Sequence, residues 1–117
     1  MQIRNLKYYQ KPLKYKNKSC YCRQNHWHAS IKEAHYCDQL ELLVKAGEIL
    51  SYMPQRSYDL KVNGQKICKH IPDFTIETKT GWQVHEVKSP ITMTAVWSIK
   101  RKLFEALYPE MEYIVII

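Results

Sequence analysis

No run of apolar residues in this chain approaches the roughly 20 residues that a membrane-spanning helix needs. The first residues also lack the apolar segment of a secretory signal, because Lys and Tyr dominate there. We therefore expect a cytoplasmic protein that does not enter a membrane. Its 117 residues, of which 45% are hydrophobic, are enough for the core of one domain but not of two.

Acidic residues are absent from the first 32 positions, so the charge of the chain is strongly uneven. That segment holds eight Lys or Arg residues, whereas residues 33–117 hold ten against eleven acids. We therefore expect a basic arm at residues 1–29 ahead of a folded domain at residues 30–117. Lysines interleaved with tyrosines suit a phosphate backbone and unstacked bases, although a weakly ordered soluble leader is the alternative. The arm residues expected to bind DNA are Lys11, Lys14, Lys16, Lys18 and Arg23.

Cysteine is sparse, and in a cytoplasmic protein it is expected as the thiol. The four cysteines are Cys20, Cys22, Cys37 and Cys68. The first two could form a zinc tetrad with His26 and His28, but the spacing is not the usual C-x-x-C and H-x-x-x-H. We favour the alternative, in which the last two cysteines belong to the core and the first two lie in an irregular segment.

Local signals predict a helix, then strands. Ser30-Ile31-Lys32-Glu33 is a capping box that opens a helix, which runs to about Ala46 and stops at Gly47. Strands are predicted at residues 48–53 and 58–62. Asn63-Gly64 then turns the chain into a long strand at residues 66–77. A turn centred on Lys79-Thr80 leads to a strand at residues 82–88.

The C-terminal part predicts a second helix and a last strand. This helix begins near Thr92 or Thr94 and ends before Pro109. Its expected core stripe is Val96, Ile99, Leu103 and Leu107. Residues 113–117 are fully apolar, which favours a strand in the sheet interior. Antiparallel hairpins followed by a helical crossover predict an α/β (α+β) protein with a central mixed β-sheet flanked by helices, in the order α-β-β-β-α-β.

Three functional groups fall on the paired strands around that turn. Centring the hairpin on Lys79-Thr80 places Asp73 opposite Glu86, and Lys88 shares the face of Glu86. An acidic pair beside a lysine can hold a divalent cation and activate water against a phosphodiester. The alternative is a solvated sheet face on which the lysine neutralises two acids.

The motifs in this order resemble the PD-(D/E)xK nuclease superfamily. The closer likeness is to small phage and prophage proteins of unknown function linked to Holliday-junction resolvases. The matching pieces, within residues 28–117, are Ser30 to Ala34, Lys45 to Ile49, Pro72-Asp73-Phe74, Val84 to Lys88 and Lys102 to Pro109. The resemblance implies a restriction-endonuclease-like core.

The resemblance also implies roles for individual residues. Asp73, Glu86 and the carbonyl of Val87 would bind Mg²⁺ or Mn²⁺, and Lys88 would position water and stabilise developing charge. Glu33 would complete the metal shell, although its place in the capping box is an equal alternative. A looser match puts Gln55 near the catalytic site, and Ser89 departs from the Gly that relatives commonly have. On the second helix, Trp97, Lys100 and Lys102 could contact DNA, or form a solvated face.

The acidic pair, the lysine and the resemblance together predict a Mg²⁺-dependent endodeoxyribonuclease. The resemblance further implies branched DNA as a candidate substrate and a phage or prophage protein that acts in the cytoplasm of a bacterial host. The expected partner is DNA. A homodimer would suit junction cleavage, because two strands must be cut symmetrically. One alternative is a nucleic-acid-binding module that keeps the fold without cutting. Another is a phage regulator that binds a host protein through the Tyr-rich arm.

Overall fold

The computed structural model describes residues 18–117. Over these residues the protein is α+β, with a mixed β-sheet and two helices, α1 (Ile31–Lys45) and α2 (Ala95–Leu107). A 3₁₀ turn at Pro90–Thr92 precedes α2. The strands in chain order are β1 (Cys20–Tyr21), β2 (Trp27–His28), β3 (Ser51–Pro54), β4 (Tyr58–Val62), β5 (Gln65–His70), β6 (Phe74–Thr78), β7 (Gly81–Val87) and β8 (Met111–Ile116).

The chain divides into an N-terminal unit that ends at Glu48 and a C-terminal unit that begins at Ile49. In the N-terminal unit β1 and β2 pair antiparallel, in a segment where the sequence predicted little regular structure. The predicted start of α1 is confirmed, because the Ser30 hydroxyl accepts a hydrogen bond from the backbone N–H of Glu33 at 3.1 Å. The helix ends at the predicted place, where Gly47 has a φ of +78°.

The C-terminal unit is built on a four-stranded sheet in the order β3-β6-β7-β8. Strands β3, β6 and β7 pair antiparallel, whereas β7 and β8 pair parallel. Helix α2 lies between β7 and β8 in the chain and supplies the crossover that a parallel pair requires. The predicted mixed sheet is confirmed. The prediction that the last strand lies in the sheet interior is wrong, since β8 forms one edge of this sheet.

The prediction of one long strand at residues 66–77 is also wrong. Strand β5 ends at His70 and pairs with β4 in a separate two-stranded sheet, while β6 begins at Phe74. Pro72 accounts for the break, because it has no N–H to donate to a ladder and it restricts the backbone of Ile71. Asp73 therefore lies at the joint between two strands, directly ahead of β6.

The core of the C-terminal unit forms between α2 and the strands. Phe104 of α2 is fully buried against Tyr58, Leu60 and Val84. Half of the predicted helix stripe is wrong, because Val96 and Ile99 are 63% and 66% exposed. The other half, Leu103 and Leu107, packs at the margin of this core. Within residues 18–117, no helix is long and apolar enough to cross a membrane.

Candidate active site

The hairpin of β6 and β7 brings the two predicted acids together. Its register pairs Phe74 with His85 and Thr78 with Gly81, which confirms the turn at Lys79-Thr80. Continued by one residue, the same register sets Asp73 opposite Glu86. The Asp73 and Glu86 side chains interact electrostatically, and both line the same pocket. The two carboxyl groups therefore share one face of the hairpin.

Asp73 is held in place from two sides. Its Oδ2 accepts a hydrogen bond from the backbone N–H of Val87 at 2.7 Å. Its backbone carbonyl accepts one from the N–H of Gln55 at 3.1 Å. Gln55 follows β3 and has a φ of +59°, a left-handed conformation that is uncommon for a residue with a side chain. An unusual backbone at Gln55 thus fixes the acid, while its side chain is exposed.

Glu86 is the buried member of the pair, with 4% of its surface exposed. Burial raises the pKa of its carboxyl group, while the positive charge of Lys88 and a hydrogen bond from Tyr113 oppose that shift. The Tyr113 hydroxyl donates to Glu86 Oε1 at 3.1 Å. A buried carboxyl with an opposing lysine is a group whose charge state depends strongly on what else enters the site.

His70 belongs to this network, although no sequence signal pointed to it. Its Nε2 lies 2.8 Å from the Tyr113 hydroxyl and 3.5 Å from Glu86 Oε1. Burial, together with the charges of Lys100 and Lys88, lowers the pKa of His70 to about 4, so the imidazole is neutral near pH 7. Because the Tyr113 hydroxyl donates to Glu86, His70 donates to Tyr113 and carries its proton on Nε2.

These groups open onto a pocket of about 450 Å³. The pocket is lined in part by the acids, by His70 and by Lys88, Trp97 and Lys100. The Lys88 Nζ lies 4.9 Å from the centre of the Trp97 ring and 3.4 Å from the carbonyl oxygen of Thr92. The pocket therefore combines two carboxyl groups with lysines and an aromatic ring.

The remaining predicted residues lie in other parts of the chain. Lys102 is exposed on α2. Glu33 is buried in the N-terminal unit, where its Oε1 lies 3.0 Å from Nδ1 of His28. Lys18 and Arg23 are exposed, and the backbone N–H of Arg23 donates to Asp38 at 2.8 Å. Lys11, Lys14 and Lys16 lie outside the described residues.

A second cluster of possible ligands lies in the N-terminal unit. One ligand atom each from Cys22, His26, His28 and Cys37 falls within 4.8 Å of all the others. The tetrad weighed from sequence contained Cys20 in place of Cys37. The favoured alternative is right that Cys37 is buried, but it is wrong for Cys20, which lies in β1 rather than in an irregular segment. The Cys20 thiol instead donates to the carbonyl oxygen of Ser30 at 3.6 Å. Cys37 comes from α1, too far along the chain for a short spacing motif to include it.

The Tyr113 network predicts an effect on stability. Tyr113→Phe should lower the free energy of unfolding by about 1–3 kcal/mol, because buried groups on His70 and Glu86 lose their partner. Tyr108→Phe is the matched control, since it removes a hydroxyl that donates to the carbonyl oxygen of Asp59 at an exposed site. Urea unfolding without added divalent cations measures both changes. Equal decreases in the two variants would contradict the network.

Comparison with known proteins identifies the family of this chain but no characterised relative. A family model described as protein of unknown function (DUF1064) matches residues 6–117. Comparison with curated proteins and with solved structures finds no match. The matched range includes the two acids, Lys88 and the Cys/His cluster.

Proposed function

We propose that this chain, which belongs to the DUF1064 family, is a Mg²⁺-dependent endodeoxyribonuclease of the PD-(D/E)xK type. The observation that carries the proposal is the convergence of Asp73, Glu86 and Lys88 on one pocket of the C-terminal unit. The chain order of the four-stranded sheet, with α2 between β7 and β8, supports a restriction-endonuclease-like core.

The residues present fit a hard cation. Mg²⁺ prefers carboxylate, carbonyl and water oxygens, and Asp73 and Glu86 offer two carboxylates in one pocket. The Val87 carbonyl, on the residue that holds Asp73, is the proposed third ligand. A cation bound there would polarise the phosphate and lower the pKa of a bound water. Glu33 is not needed for this set, because His28 already accounts for its burial.

Lys88 is proposed to act on the reacting phosphate. Its backbone is fixed by a hydrogen bond from its N–H to the carbonyl oxygen of Ile116 at 2.8 Å. Its side chain lies in the pocket against Trp97, so the ammonium group is positioned before substrate arrives. A preorganised positive charge stabilises the negative charge that develops as water attacks.

The pocket wall supplied by α2 suits a nucleic acid. Lys100 adds a positive charge, and the Trp97 ring offers a surface on which an unpaired base can stack. Branched DNA and single strands expose such bases, which favours a structure-selective enzyme. We therefore place the substrate backbone along Lys100, with the reacting phosphate beside Lys88 and the two acids.

A module that binds nucleic acid without cutting it is the second candidate. The lysines of the pocket and the basic residues near the N-terminus favour it as well. Glu86 argues against it, because a buried carboxylate beside a phosphate repels DNA unless a cation intervenes. A regulator that binds a host protein through the Tyr-rich segment is a third candidate, which no described contact favours.

The test is a cleavage assay on four-way junction, flap, single-stranded and duplex DNA. We expect cutting of at least one substrate with Mg²⁺ or Mn²⁺ and none in metal-free buffer. Asp73→Asn should lower the rate at least about 100-fold, as expected when a metal ligand is removed. Asp59→Asn is the matched control, because Asp59 is an exposed acid that pairs with Lys66 outside the pocket.

A chelator would also remove any metal ion held by the Cys/His cluster of the N-terminal unit. Metal should therefore be omitted and then titrated rather than removed with EDTA. Binding of DNA without cleavage under any of these conditions would favour the non-cutting module. Cleavage by Asp73→Asn at the wild-type rate would place the active site elsewhere.

A further inference from the structure

Four soft or borderline ligands converge in the N-terminal unit, and the proposed nuclease chemistry uses none of them. They are Cys22, directly after β1, His26 and His28, before and within β2, and Cys37 in α1. We propose that these four side chains bind one structural Zn²⁺ ion, which ties β1, β2 and α1 together.

The distances fit a tetrahedral zinc site with a small adjustment. Zinc bonds of about 2.3 Å to sulfur and about 2.0 Å to nitrogen set neighbouring ligand atoms about 3.3–3.8 Å apart. His26 Nδ1 lies 3.3 Å from Cys37 Sγ, and no ligand pair exceeds 4.8 Å. The most distant pair therefore needs to close by at most about 1.5 Å, which is within the reach of side-chain movement.

A second contact orients one of the ligands. Glu33 Oε1 lies 3.0 Å from His28 Nδ1, and both side chains are buried. Because Nδ1 of His28 is hydrogen-bonded to Glu33, His28 would bind zinc through Nε2. A carboxylate that holds the far nitrogen of a histidine ligand is the usual support of zinc-bound imidazole. The Ser30 hydroxyl, which caps the start of α1, accepts a hydrogen bond from the backbone N–H of Glu33, so helix formation itself places this support.

The donor set selects the metal and its role. Two thiols and two imidazoles suit Zn²⁺, whereas Mg²⁺ and Mn²⁺ prefer oxygen. Four protein ligands close the coordination sphere and leave no position for a substrate, which is the pattern of a structural site. This ion is therefore distinct from the cation proposed for Asp73 and Glu86, and its presence does not depend on nuclease activity.

The small size of the elements around the cluster indicates that the ion would stabilise the N-terminal unit. Strands β1 and β2 have two residues each, and a two-stranded pair of this length is not stable alone in water. The buried apolar residues of the described part of this unit are Cys20, Cys22, Ala34, Cys37 and Leu40, all small except the last. A metal can supply the stability that so small a core lacks.

The test begins with the full-length protein as purified. Elemental analysis should find about one zinc per chain. Removing it with a chelator should lower the melting temperature, and Zn²⁺ should restore it where Mg²⁺ does not. Co²⁺ added to the metal-free protein should give the absorption of a tetrahedral site with thiolate ligands. Protein that contains no zinc and melts at the same temperature with and without Zn²⁺ would overturn the proposal.

Matched cysteine variants locate the ion. Cys37→Ser should lose the zinc, whereas Cys20→Ser should keep it, since Cys20 is equally buried but bonds to Ser30. Glu33→Gln should bind zinc about 10- to 100-fold more weakly, as expected for a residue that supports a ligand. Equal zinc content in Cys37→Ser and wild type would overturn the site. If Cys37→Ser does not fold, the cobalt spectrum of the wild type still tests whether cysteine thiolates bind the metal. Among these ligands, only thiolates give charge-transfer absorption, so a spectrum without it would overturn the site.

Discussion

Lys88→Ala should reduce the rate of DNA cleavage by about 100- to 1,000-fold, the usual cost of removing one preorganised group at a developing charge. Affinity for DNA should change little, because the proposed role of this ammonium group lies in the transition state rather than in substrate binding. Equal decreases in kcat and in kcat/KM are the signature of such a role. Single-turnover cleavage and a separate binding assay in Ca²⁺ measure the two quantities.

Lys100→Ala is the matched control for this prediction. Both lysines line the same pocket, but Lys100 lies on α2, whereas Lys88 directly follows the strand that carries Glu86. We expect Lys100→Ala to weaken DNA binding. The rate at which bound DNA is cleaved should stay within a few-fold of the wild-type rate. Wild-type cleavage by Lys88→Ala would show that the proposed mechanism is wrong. A decrease in binding as large as the decrease in rate would reassign Lys88 to substrate binding.

The parts of the fold that were predictable depend on local signals. Ser30 and Gly47 fix the ends of α1, because a side-chain cap and a left-handed glycine act within a few residues. The turn at Lys79-Thr80 sets the register of β6 and β7, and so the pairing of the two acids follows from counting. Pro72 is also a local signal, and it argues against the single strand predicted at residues 66–77.

The errors on α2 have a tertiary cause. Val96 and Ile99 fit a helical stripe, yet the helix faces the strands through Phe104, which contacts the rings of Tyr58 in β4 and Tyr113 in β8. Periodicity places apolar residues on one side of a helix but does not fix which edge of that side is buried. Aromatic packing in the partner sheet decides it, and no single-sequence pattern records that packing.

In the candidate site, too, the residues that are close in sequence were predictable and those brought together by tertiary structure were not. Asp73, Glu86 and Lys88 lie within one hairpin and its end, so sequence could bring them together. His70 and Tyr113 meet Glu86 only because β5 and β8 bring them to the same carboxyl group from positions 43 residues apart. Cys37 likewise joins its cluster from a helix. Groups that converge through tertiary structure require coordinates, even when each residue type is chemically suggestive.

The basic N-terminal segment should supply most of the sequence-independent affinity for DNA. Deleting residues 1–17 removes five positive charges, at Arg4, Lys7, Lys11, Lys14 and Lys16, while residues 33–117 have a charge near zero. Removing one lysine or arginine that neutralises a phosphate should reduce the slope of log K against log salt by about 0.9 on duplex and about 0.7 on single strands. If all five bind phosphate, the duplex slope falls by about 4.5.

The truncation leaves every described element intact, because β1 begins at Cys20. We expect the shortened protein to stay folded and to keep its cleavage rate at saturating DNA. A full-length variant with the same five residues changed to Gln separates charge from the tyrosines of this segment, since it keeps Tyr8, Tyr9 and Tyr15. Both proteins should show the reduced slope if charge is the cause. Parallel lines for the truncated and full-length proteins across the salt series would mean that this segment does not contact DNA, and its charge would then serve a different acidic partner.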